Sequence, residues 1–184
     1  MKKLYILGPI FAPVNFTFEV DSIITDAREN EVSVLVCDGG TKKCCGNTFG
    51  NKLLCCECKK RTSAVLETIP NINVIKQKDV LKNKTEHNHF KYNSLKELNK
   101  IEYKGFEIGY GVSSYYISLT RNLNPLITPK LKRILDDWLD ISMTHTDIAE
   151  KVITNEYNCV YVINGRLFDS KPYQEVAFAR GIHV

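Results

Sequence analysis

The sequence lacks any long hydrophobic run. Nothing in it approaches the roughly 18 consecutive apolar residues of a membrane helix, so no segment is expected to span a bilayer and only peripheral membrane association stays open. Repeats and low-complexity tracts are also missing, which argues against solenoids and linker-like chains. A GxGxxG fingerprint is absent: the first strand-like run closes on Gly8-Pro9 alone, so a dinucleotide site is not supported. There is no strong excess of one charge. With 25 basic and 21 acidic residues the net charge is +4, weak support for a polyanionic partner. Arginines and aromatics are not densely interleaved, which gives nucleic acid little support. Cysteine is scarce everywhere but one place: six of the seven fall between residues 37 and 60.

What is present is the composition of a globular domain, 184 residues of which 43% are hydrophobic. The opening MKKLYILGPIFAPV has the lysines and apolar stretch of a signal peptide. It is short, broken by Gly8-Pro9, and runs straight into a helical pattern, so it reads as a strand. A cytoplasmic protein is expected. Residues 3–8 form that first strand. Val14, Phe18, Ile23, Ile24 and Ala27 recur at helical spacing, with Asn15 placed to cap the helix. VSVLV (32–36) is apolar throughout, as in a strand of a parallel sheet buried on both faces. A helix is expected from Cys58 to Ile69, closed by Pro70, and a strand over INVI (72–75). Residues 76–104 read as solvated loop with a short helix at SLKELNKI. Helices follow over 106–121 and from Pro129 to about Asn155. Then come a strand over CVYVI (159–163), a helix over 172–180 ended by Gly181, and the beginning of a strand at 182–184. Strand and helix alternate as in a doubly wound, Rossmann-like, mostly parallel α/β sheet, with a cysteine-rich loop after the second strand. The whole chain is one domain on this reading. Its end at the start of a strand suggests a larger protein that continues.

The cysteines allow three explanations: a metal site, disulfides or reactive thiols. Disulfides are uncommon in the cytoplasm. Cys55 and Cys58 form a C-x-x-C, Cys37 ends the second strand, and Cys44 or Cys45 follows in the loop. The expected ligand set is Cys37, Cys44, Cys55 and Cys58. Four thiolates suit structural zinc first and an iron–sulfur cluster second. Cys45 and Cys56 are spares beside ligands, and Cys159 is a core residue. Free cysteines and a redox role remain alternatives.

Other candidates lie at strand ends. Ligands of open α/β sheets bind beyond the carboxyl ends of the strands. Asn164, Gly165 and Arg166 follow the last full strand, where amide and guanidinium groups could hold hydroxyls or anions; a simple turn is the plain alternative. Asn15 and Glu19 lie near the start of the first helix, facing the same crevice. Glu19 is a candidate base, or merely an acid favoured by the helix dipole. Arg121 either reaches an anion or satisfies a helix end. His87 and His89 read as exposed, and His145 and His183 as isolated.

VLVCDGG (34–40), Cys44, CCEC (55–58), GYGVSSYYISLTR (109–121) and VYVINGRLFDSKPYQEVAFARGIHV (160–184) together resemble the amino-terminal half of bacterial capsule or O-antigen polysaccharide biosynthesis proteins of the GT-B glycosyltransferase type. The resemblance implies an acceptor-side domain that lines the interdomain cleft with Asn164 and Arg166. A carboxyl-terminal domain would bind the nucleotide sugar. Where such proteins carry a His near the first helix, this chain has Asn15-Phe16, which leaves Glu19 as the candidate base. The chain alone is expected not to transfer sugar. A zinc-stabilised binding module without catalysis, with nucleic acid as its ligand, is the alternative, and a thiol redox protein is a third.

Overall fold

The computed structural model describes residues 1–9, 13–41, 43–81 and 90–184. His87 and His89 lie outside the described residues, as does the side chain of Val14. The chain is an α/β protein with one four-stranded, all-parallel sheet and seven helices among the described residues. The strands are β1 (Lys2–Ile6), β2 (Glu31–Val36), β3 (Ile72–Lys76) and β4 (Cys159–Val162), in the order β3-β2-β1-β4. The helices are α1 (Pro13–Asp26), α2 (Lys52–Leu66), α3 (Gln77–Val80), α4 (Leu95–Leu98), α5 (Ile108–Thr120), α6 (Pro129–Val152) and α7 (Lys171–Ala179). This arrangement is consistent with a Rossmann-like fold. Among the described residues no helix is long and apolar enough to cross a membrane.

Strand period explains the two cores. Side chains alternate across a strand. Leu4, Ile6, Leu35 and Val160 face one side and pack on the end of α6 and on α7, through Ile148, Val152, Tyr173 and Val176. Tyr5, Leu7, Val32, Val34 and Val36 face the other side and meet Phe16 and Ile23 of α1 and Leu66 of α2. Both faces are covered, which is why β1 and β2 are apolar runs rather than alternating ones. β3 is an edge strand, and its Val74 is exposed.

A third core joins α4, α5 and the first half of α6 around an aromatic trio. Trp138 stacks on Phe168 at 5.7 Å between ring centroids, and Tyr115 meets both edge-on at 5.0 Å. Two glycines admit this packing. A Cβ on Gly109 would stand 1.8 Å from the Leu98 carbonyl oxygen, and one on Gly111 would stand 3.0 Å from the Phe168 Cα. The glycines that weaken α5 by propensity thus allow its close approach to its neighbours. Thr128 caps α6 by accepting the Leu131 N–H at 3.3 Å, with Pro129 in the first turn.

Several expectations need correction. Asn15 does not cap α1; the helix begins at Pro13, and Asn15 is an exposed residue inside it. Phe18 is 69% exposed and Ile24 is also exposed, while Phe16, Glu19 and Ile23 point inward. Apolar residues lie on both faces of α1, so spacing alone selected the wrong phase. The helix expected from Cys58 starts at Lys52, because Asn51 accepts the Leu53 and Leu54 N–H groups. The second half of the cysteine-rich segment is therefore helix rather than loop. The expected strand at 182–184 is reduced to one isolated bridge between Cys159 and His183.

Candidate functional site

β1 lies between β2 and β4, and the chain reaches β4 only after building β2 and β3 on the other side. β1 is thus the point where the strand order reverses, and ligands of such sheets bind beyond the carboxyl ends of the strands there. A cavity of about 180 Å³ occupies this place. Each strand contributes the residues that follow it: Gly8 after β1, Cys37 after β2, Gln77 after β3 and Asn164 after β4.

Glu19 forms one wall. It shares the inward face of α1 with Phe16 and Ile23, one turn away on either side. Both carboxyl oxygens accept the Gly8 N–H, each at 3.2 Å. A Cβ at Gly8 would stand 3.3 Å from Glu19 Oε2, so the small residue permits this approach. Burial pushes the Glu19 pKa up to about 7, against the opposing pull of the Gly8 hydrogen bond. No cation pairs with it among the described residues.

The cysteines form the second wall. Cys37, Cys44, Cys45, Cys55 and Cys58 all line the cavity, whereas Cys56 is exposed on the other face of α2. Helical spacing explains the choice: Cys55 and Cys58 are one turn apart and Cys56 is not. Asn47 fastens the loop to α2, accepting the Asn51 N–H at 2.9 Å and donating to the Asn51 carbonyl at 2.8 Å and to Cys55 Sγ at 3.1 Å. Tyr115 Oη donates to the Cys45 carbonyl at 2.7 Å, and Asp169 accepts the Cys45 N–H at 2.7 Å. Burial first, then the Asp169 charge, push the Cys44 thiol up to about 12 and the Cys45 thiol further still. Burial also raises Cys37. These three thiols are protonated at neutral pH, unlike the thiolates of redox sites. Among the described residues no group of three or more His, Cys, Asp or Glu side chains is arranged to hold a metal ion. The expected ligands share a wall without forming a ready-made tetrahedron. Cys159 lies in β4, apart from this wall.

The third wall was not legible as a site. Gln77 opens α3, His145 lies in the middle of α6, and Tyr173 lies in α7. All three line the cavity and are buried. Gln77 Nε2 donates to Tyr173 Oη at 3.3 Å, and Tyr173 Oη lies 2.8 Å from His145 Nδ1. Burial pushes the His145 pKa down to about 4, so the ring is neutral at pH 7. The expected isolation of His145 is thus overturned. The position of Gln77 immediately after a strand was the signal available for it; His145 read as isolated because its partner lies on another helix.

No family model, curated protein or solved structure matches the chain.

The remaining candidates divide. Asn15 and Asn164 line the cavity, both at exposed positions. Asn164 has a left-handed backbone (φ 54°), and its carbonyl accepts from Ser170 Oγ at 2.7 Å. Gly165 and Arg166 are not part of the wall. A Cβ at Gly165 would stand 2.2 Å from Gln174 Oε1, the movable end of a side chain. Arg121 is exposed, is the left-handed C-cap of α5, and does not line the cavity.

Proposed function

We propose that the chain is the acceptor-binding, amino-terminal side of a GT-B glycosyltransferase of capsular or surface polysaccharide biosynthesis. On this proposal the fold is a doubly wound Rossmann-like domain, and its partners are a glycan acceptor and a nucleotide sugar held by a further domain. The observation that carries it is Glu19, a buried carboxyl with a pKa of about 7 on the wall of a cavity at the reversal of strand order. A general base works best with a pKa near the working pH. Glu19 takes the proton of an acceptor hydroxyl as that oxygen bonds to the anomeric carbon of the donor sugar. The bond from that carbon to the nucleoside diphosphate breaks, and the diphosphate leaves with the electron pair.

Asn15 and Asn164 are placed at the cavity to position the acceptor. Zinc belongs to the same proposal as a structural ion on Cys37, Cys44, Cys55 and Cys58. Four thiolates leave zinc no open position, so it supplies cohesion and no chemistry. The support for zinc is that these four cysteines line one cavity.

The test uses the purified chain with surface-polysaccharide oligosaccharides and nucleotide sugars. Oligosaccharide binding without turnover is the expected result. Sugar transfer by the chain alone refutes the acceptor-side assignment. Binding to RNA in a salt series, with no oligosaccharide binding, selects the non-catalytic module instead.

A further inference from the structure

The hydrogen-bonded chain on the third wall is not used by Glu19, and its polarity follows from chemistry. An amide NH₂ only donates, so Tyr173 Oη accepts from Gln77. The Tyr173 proton then has His145 Nδ1 as its acceptor, 2.8 Å away. A neutral imidazole that accepts at Nδ1 carries its proton on Nε2. The chain therefore ends in an acceptor, Gln77 Oε1, and a donor, His145 Nε2–H. Both atoms are buried and neither has a partner among the described residues. Leaving a buried polar atom unsatisfied is costly, and here two such atoms belong to one network beside one cavity.

We infer that Gln77 and His145, set by Tyr173, read the hydroxyl groups of a neutral, ring-sized ligand in this cavity. A hydroxyl both donates and accepts, so it satisfies both ends of the network. A phosphate or carboxylate only accepts and leaves Gln77 Oε1 unmet. An ammonium group only donates and leaves His145 unmet. Charge agrees with this choice: Glu19 and Asp169 line the cavity against one lysine, Lys59. Size agrees too. At about 180 Å³ the cavity is smaller than the roughly 300–1,000 Å³ of drug-sized pockets. It takes one ring, or the end of a longer molecule. The inference deepens the acceptor reading and rests on it, but it is testable apart from transfer.

The experiment is an NMR titration of the ¹⁵N-labelled full chain with methyl glycosides of glucose, galactose and N-acetylglucosamine. Inorganic phosphate and methylammonium serve as comparison probes. The wild-type spectrum should show His145 as the Nε2–H tautomer. At least one glycoside should shift the Gln77 side-chain amide and the His145 ring saturably, and the charged probes should not. Gln77→Met and Tyr173→Phe should each weaken that binding at least tenfold. An Nδ1–H tautomer, or shifts from phosphate alone, overturns the inference. Glycoside binding that survives both substitutions overturns it while leaving the acceptor reading in place. No glycoside binding at all, with an ordered water satisfying the two atoms, overturns both. The tautomer measurement needs no variant, so a substitution that fails to fold does not remove the test.

Discussion

At the residue scale, Glu19 makes a prediction whose sign is fixed. Its folded pKa, about 7, lies above the ordinary 4.5. Between these values the folded state holds a proton that the unfolded chain has released, so stability falls as pH rises through that window. Above pH 7 the full cost of a buried, unpaired carboxylate remains. Glu19→Gln removes it while keeping a carbonyl to accept the Gly8 N–H. The variant should exceed the parent in stability by up to about 3 kcal/mol at pH 8 and match it near pH 4.5. Urea melts at both pH values measure this, and equal differences at the two would contradict it. The same residue shows what sequence can convey. An acid near the start of the first helix was visible, but its burial was not, because the inward face of α1 is decided by packing against Tyr5 and Val34. His145 was hidden for a related reason. A lone histidine within a helical stretch looks isolated until its partner, 28 residues away in sequence, is known.

At the element scale, α5 depends on its glycines. Gly109→Ala would drive a methyl group into the Leu98 carbonyl, 1.8 Å away, and should cost on the order of 3 kcal/mol or more through displaced backbone. Gly181→Ala offers a contrast. It has φ 67° and open space around it, so only the left-handed penalty of about 1–2 kcal/mol applies. Chemical denaturation of both variants should rank Gly109→Ala as clearly the worse. If the two lose the same stability, close approach is not the role of Gly109. Elements whose environment is uniform were the legible ones. β1, β2 and β4 were read from apolar runs, and α6 from its Pro129 start and inward stripe. α2 was misread at its start because Leu53 and Leu54 are exposed. Its onset is set by the Asn51 cap rather than by a hydrophobic face.

At the scale of the whole molecule, the cysteine wall offers the third prediction. Protein purified without oxygen should contain one zinc per chain, and Cys37→Ser or Cys58→Ser should lose it. A brown absorbance band would indicate iron–sulfur instead, and an absence of metal in the parent would remove the staple from the proposal. The order β3-β2-β1-β4 has a consequence of another kind, for the time at which the cavity comes into being. β4 pairs with β1 in the register Lys3↔Cys159, across nearly the whole chain. Contacts that close so long a loop carry a high entropic cost and form slowly. The walls come from α1, α2, α3, α6 and α7, so no early, local fragment contains them together. The cavity is complete only when β4 has joined β1, and a molecule held in it would guard that pairing against unfolding.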